Sequence, residues 1–244
     1  MNMPTPLADV RDTIIACERC PRLRTYCLRI AREKRASFRH DHYWGKPVPG
    51  FGDPHARVAV IGLAPAAHGA NRTGRNFTGD GRGGSGDFLM AAMHANGFAN
   101  QTTSQDRDDG LMLTDAWILA VARCAPPDNK PTPREIANCE SHLTAELAAL
   151  PNLKVYVALG RIAYDAAWRL VRARAEQAPR RLTKPAFEHG GVVRVPGAPV
   201  IVCAYHPSRQ NTHTGRLTPA MLRDVFRTAR RLATRASRGA HVPA

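Results

Sequence analysis

The 244-residue chain is short of acid, with 20 Asp and Glu against 35 Lys and Arg and a formal net charge of +15. Arginine far outnumbers lysine, and its planar fork of donors matches phosphate oxygens, so the charge predicts binding to polyanions that weakens as salt rises. No apolar run approaches the roughly 20 residues needed to span a bilayer, which excludes a membrane protein. The opening MNMPTPLADVRDTII lacks a basic segment followed by an apolar one, so the expected location is cytoplasmic and nucleoid-associated. Internal repeats and low-complexity linkers are also absent. Residues 1–236 therefore read as one domain, and 237–244 as a basic C-terminal tail. Hydrophobic residues make up 43% of the chain, an ordinary share that rules out wholesale disorder.

What is present alternates between strand and helix patterns. RVAVIGLAP (57–65) is a β-branched run that ends in Gly and Pro, and SGDFLMAAMHANGF (85–98) is an amphipathic helix. DAWILAVARC (115–124) and VYVALG (155–160) are strands, each followed by a helix, over 133–150 and 161–175. Residues 192–208 hold a strand, a Pro-Gly turn and a last strand, and 218–236 form a basic amphipathic helix. This order predicts an α/β fold, a central and mainly parallel four-stranded sheet flanked by helices. Ligands of such sheets bind beyond the carboxyl ends of the strands, where the loops after the first and last strands lie.

Six cysteines stand out. Cys17 and Cys20 form a C-x2-C pair in a turn before Pro21, Cys124 ends a strand, and Cys139 lies in the next helix. Thiolates so spaced can converge on one metal centre, and spacing alone does not separate a [4Fe–4S] cluster from a zinc ion. Disulfides fit poorly with a reducing compartment, and a thioredoxin-like pair would follow a strand. Cys27 and Cys203 read as bystanders.

The first loop, GLAPAAHGANRTGRNFTGDGRGGSGDF (62–88), is long and glycine-rich. It contains neither G-x-x-x-x-G-K-[ST] nor G-x-G-x-x-G, which sets aside the common nucleotide-phosphate loops. Within it Phe77 lies close to Asp80, an aromatic–carboxylate pairing suited to stacking on a flat ligand and positioning a water. The second loop, HPSRQNTHTGRLTP (206–219), starts with His206 at the sheet edge. Ser208, Asn211, Thr212 and Thr214 offer neutral donors, and Arg209 and Arg216 add charge, a mix suited to phosphates.

GLAPAAHGANRTGRNFTGD and HPSRQNTHTGRLT resemble the two signature motifs of the family 5, or type B, uracil-DNA glycosylases. The four cysteines, with C-A-P-P-x-N-K-P-x-P between the second pair, resemble that family's [4Fe–4S] ligands. The resemblance covers roughly residues 14–230. It implies a monofunctional enzyme that cuts the N-glycosidic bond of uracil, and of other deaminated or modified bases, in double-stranded DNA. It further implies the uracil-DNA glycosylase fold, a [4Fe–4S] cluster on Cys17, Cys20, Cys124 and Cys139 in preference to zinc, and action as a monomer in base excision repair.

On that resemblance, Gly62, Leu63, Ala64 and Pro65 form the floor of a base pocket and Phe77 stacks on the flipped base. His206 donates to a base carbonyl as negative charge develops, and Asp80 orients the attacking water. Ser208, Arg209, Gln210, Asn211 and Arg216 contact DNA, with 209–211 as the wedge. Better-known uracil glycosylases carry an Asp, Asn or Glu just after the first glycine, where this chain has Leu63, Ala64 and Pro65. Nor does it have an Asn at 120–122. A pocket with so few side-chain donors predicts broad base specificity. The cluster is expected to fix the N-terminal segment and the 125–138 loop, setting Arg123 or Lys130 against phosphate. The alternative is a relative that binds uracil or damaged DNA with lost or altered turnover.

Overall fold

The computed structural model describes residues 5–79, 81–175 and 182–235. Its strands, in chain order, are β1 (Phe51–Gly52), β2 (Val58–Gly62), β3 (Ala116–Ala120), β4 (Val155–Leu159), β5 (Val192–Val193) and β6 (Val200–Ala204). Its helices are α1 (Thr5–Ile15), α2 (Pro21–Glu33), α3 (Ala70–Thr73), α4 (Ser85–His94), α5 (Pro133–Ala148), α6 (Arg161–Arg174), α7 (Arg209–His213) and α8 (Pro219–Arg235). Short 3-10 turns cover Ala36–Phe38 and Pro127–Asn129.

One sheet runs in the order β1-β3-β2-β4-β6-β5. The central four strands are parallel, as the βα alternation requires, in a register that sets Val58 beside both Ala116 and Val155. The expectation of four strands is corrected to six. β1 and β5 add antiparallel edges of two residues each, against β3 and β6. A two-residue strand has no periodicity to read, so pairing with a neighbour is what defines β1.

The central strands are buried on both faces, and the two-residue alternation divides their side chains. Ile61, Leu119, Tyr156 and Ile201 pack with Leu143 and Leu147 of α5 and Tyr164 and Trp168 of α6. Val60, Ile118, Val157 and Val202 pack with Leu89 and Met93 of α4 and Val225 and Phe226 of α8. A Thr132–Glu135 capping box with Pro133 starts α5. The expected 57–65 strand stops at Gly62 and the expected 115–124 strand at Ala120; beyond them Val121 and Ala122 donate to the carbonyls of Gly62 and Leu63 at 3.0 and 2.9 Å. The 62–84 and 205–218 loops thus leave the same edge of the sheet. Among the described residues no helix is long and apolar enough to cross a membrane. The proposed tail, 237–244, lies outside the described residues.

Candidate active site

The loop after β2 is held in shape by two buried arginines. Arg72 donates to the carbonyls of His68 and Gly79, both at 3.0 Å, pairs with Asp41 at 2.6 Å, and lies over the Phe38 ring. Arg75 donates to Thr78 Oγ1 at 2.9 Å and to the Arg107 carbonyl at 2.9 Å, and pairs with Asp109 at 2.8 Å. Burial works against the Asp109 carboxylate, but Arg75 and the N–H groups of Leu111 and Gln105 hold its carboxyl below the usual range. Gly79 donates to the Ser104 carbonyl at 2.9 Å, so the loop is pinned on both sides of Phe77. In the glycine-rich stretch that follows, Asp87 accepts from the N–H groups of Gly83 and Ser104.

Phe77 itself has a φ of +52°, which costs energy in a residue with a Cβ. Two glycines make its position available. A Cβ on Gly62 would lie 2.7 Å from Phe77 Cε2, and one on Gly86 would strike the Phe77 carbonyl. Gly62 is therefore a backbone seat for the ring.

His206 leaves β6 at the same edge, half-buried, with its imidazole 5.7 Å from the Phe77 ring and inclined to it by 30°. Burial pushes its pKa down to about 4, so the ring is neutral near pH 7. Asn211 donates to the His206 carbonyl at 2.9 Å, which turns that side chain inward. The loop expected at 209–211 is the one-turn helix α7. Arg209 and Gln210 are exposed on it, whereas the Thr212 and Thr214 hydroxyls bond back to the carbonyls of Ser208 and Gln210. Arg216 stacks on the Tyr205 ring at 4.6 Å.

A cleft of about 690 Å³ opens here. It brings together Leu63, Ala64, Phe77, His206, Ser208 and Arg209, whereas Gly62, Pro65, Gln210, Asn211 and Arg216 do not line it. Asp80 lies outside the described residues; its neighbour Gly79 is on the cleft wall. Tyr26, Arg35, Phe38, His68 and Asn129 also line the cleft, outside the expected base- and DNA-binding sets. The Tyr43 hydroxyl is 3.0 Å from His68 Nδ1, and burial, then Arg35 and Arg72, lower that imidazole's pKa. His68 belongs to the motif after β2, whereas the 26–38 sequence carries no motif that marks Arg35 or Phe38 as cleft residues.

The four expected ligands come from three parts of the chain. Cys17 follows α1, Cys20 precedes α2, Cys124 follows β3 and Cys139 is on α5. All are free thiols. Cys20 lies close enough to feel the charges of Cys124 and Cys17, and Cys139 those of Cys124 and Cys20. Among the described residues no three His, Cys, Asp or Glu side chains converge on a single-ion site. Cys27 is a close neighbour of this group: it is buried with Cys20 and Cys124, and its thiol faces the Ala125 carbonyl at 3.6 Å. Cys203 is buried beneath α6, as its apolar strand implied.

One expectation fails here. Arg123 is 1% exposed and sits 2.7 Å from the equally buried Glu146, so it cannot meet phosphate. Three residues past the end of β3, its side chain is turned into the core against Glu146 of α5. Lys130 remains exposed.

Residues 49–230 match the uracil DNA glycosylase superfamily. The chain is 47% identical over 222 residues to a type-5 uracil-DNA glycosylase of Thermus thermophilus, covering 91% of this chain and 96% of that one. It is 46% identical over 228 residues to a type-5 uracil-DNA glycosylase of Mycobacterium tuberculosis, covering 93% and 82%. A type-4 uracil-DNA glycosylase of Archaeoglobus fulgidus is 33% identical over 118 residues, 48% of this chain and 49% of that one. Because the type-5 matches are 42–47% identical over more than nine-tenths of the chain, it belongs to the type-5 uracil-DNA glycosylases of that superfamily.

Proposed function

We propose that the protein is a monofunctional uracil-DNA glycosylase. It hydrolyses the N-glycosidic bond of uracil, and of other deaminated or modified bases, in double-stranded DNA, and so starts base excision repair. The observation that carries this reading is the pairing of Phe77 with a neutral His206 in a cleft at the carboxyl edge of a parallel sheet. A flipped base rests on the Phe77 ring, a contact worth about 1–3 kcal/mol in nucleic-acid sites. His206 donates to a base carbonyl as the bond breaks, a role that needs no proton beyond the one a neutral imidazole carries. Asp80 orients the water and offsets positive charge on the sugar. Leu63 and Ala64 bound the base with apolar groups, with Gly62 seating the Phe77 ring and Pro65 closing the turn behind them, which supports broad specificity. Arg209 and Gln210 reach the DNA from α7, with Ser208 and Arg216 on phosphate and Asn211 shaping the turn. We read residues 1–236 as one domain, acting as a monomer in the cytoplasm at the nucleoid.

Cys17, Cys20, Cys124 and Cys139 are the residues that would hold a metal centre. The donor set fits: four free thiols within electrostatic reach of one another, three of them buried. A [4Fe–4S] cluster is preferred to zinc because the four cysteines resemble the cluster ligands of the type-5 family. Such a centre would tie α2 and the 126–129 turn, which contribute Tyr26, Pro126, Asp128 and Asn129 to the cleft, to α5. The hydrolysis moves no electrons.

The test is incubation of the protein with labelled duplexes carrying one U:G or one C:G pair, followed by hot alkali. Breaks confined to the uracil strand, and dependent on alkali, are expected. Retardation of the uracil duplex with no abasic site formed would overturn turnover and leave a damage-binding relative.

A further inference from the structure

Two arginines are buried among the cysteines. Arg24, on α2, is 6% exposed; it donates to the Gly45 carbonyl at 3.0 Å and to Glu18 at 3.1 Å, and its guanidinium also reaches the Cys124 thiol. Arg123 immediately precedes Cys124, and its backbone N–H and its charge both work against the burial that pushes the Cys139 thiol up. Its guanidinium lies against Glu146, yet Nε and both terminal nitrogens lack a well-aligned hydrogen-bond acceptor. Cys20 in turn accepts from Asn138 Nδ2 at 3.4 Å. Each of the three buried sulfurs thus faces a donor.

Burying a guanidinium with unmade hydrogen bonds is costly, and a single carboxylate offsets only part of that cost. What the Arg123 guanidinium still lacks is acceptors, and metal-bound thiolates would supply both acceptors and negative charge. Four thiolates carry more of it than either a zinc ion or a four-iron core neutralises, so a centre held by these cysteines is anionic whichever metal it contains. Positive charge and N–H donors beside metal-bound sulfur hold the thiolates in place and raise the potential of an iron centre. Cys139, His142 and Glu146 share one face of α5, which places the partner of Arg123 on the helix that carries a ligand.

We propose that Arg24 and Arg123 are the charge-compensating, positioning residues of a metal centre on Cys17, Cys20, Cys124 and Cys139, Arg123 also latching α5 to the end of β3 through Glu146. This inference rests on the metal reading above. Its test uses full-length protein purified with its metal and without air, as wild type, Arg24→Gln, the double variant Arg123→Gln with Glu146→Gln, and the lysine variants Arg24→Lys and Arg123→Lys. Iron, sulfide and zinc per chain, release of metal to a chelator, and the midpoint potential of any iron centre are measured.

The glutamine variants should release metal about ten- to a hundredfold faster than wild type, the range seen when outer-shell partners of a metal site are lost. An iron centre in them should shift to a more negative potential, and the lysine variants should recover much of both effects. Folded glutamine variants with wild-type release rates and potential would overturn the proposal. Should the double variant fail to fold, Arg24→Gln and the lysine variants decide it in the same way. Wild-type protein carrying neither iron nor zinc would refute the metal reading and this inference with it, whatever its activity on uracil.

Discussion

The Phe77 ring and the His206 imidazole face each other at 5.7 Å, brought from two loops that leave the sheet at β2 and β6. A base slipped between them would need two stacking separations of roughly 3.5 Å each, more than the observed gap. The base therefore approaches Phe77 from the open cleft, with His206 reaching its edge. Stacking and hydrogen bonding are then separate contributions, and separate substitutions test them.

Gly62→Ala should displace Phe77 while leaving the sheet intact, because the added methyl meets the ring edge at 2.7 Å. A shift of about 1 Å in such a contact costs on the order of a hundredfold in rate. Single-turnover kinetics on a U:G duplex should show that loss with little change in thermal melting. Wild-type kinetics would mean that the ring does not hold the base.

His206→Ala should cost about 3 kcal/mol of transition-state stabilisation, roughly a hundredfold or more in single-turnover rate. Its pH behaviour is specific. The folded-state pKa, about 4, lies below the ordinary 6.5, so between these values the unfolded chain binds more protons and stability falls as pH is lowered through that window. Above it the imidazole is neutral, and no rate limb from His206 should appear near 6.5. A limb there that vanishes in His206→Gln would show that the ring titrates normally and that the neutral-donor role is wrong.

Arg75→Met removes one partner of a buried pair and leaves Asp109 uncompensated, which typically costs about 3–5 kcal/mol. Urea unfolding should show the loss. Combining Arg75→Met with Asp109→Leu should recover part of it, since both charges are then gone. A single variant as stable as wild type would deny the clamp.

Arg35 and Arg209 are exposed cations on the walls of the cleft, from segments far apart in the chain. Arg35→Gln and Arg209→Gln should each weaken DNA binding for uracil and control duplexes alike. Each should also reduce the slope of log K against log salt by about 0.9, one phosphate contact. An unchanged slope in Arg35→Gln would place the DNA away from that wall.

The sequence by itself determined the βα alternation, because buried parallel strands are continuous β-branched runs with helices between them. VAVIG, VYVAL and VIVCA could be read without a neighbour. It also determined which two loops share an edge, since parallel strands send all their carboxyl ends the same way. Its motifs marked Phe77, His206 and the four cysteines. Only the tertiary structure decided what depends on contacts between distant segments. It put Arg123 in the core opposite Glu146, made Arg72 and Arg75 clamps instead of surface charge, and turned Asn211 back onto His206. It also brought side chains of the cysteine-bearing α2 region and of the turn after Cys124 into the lining of the cleft. An arginine has the same letter on the surface and in the interior, and its role is fixed by whether folding supplies it with acceptors or with water.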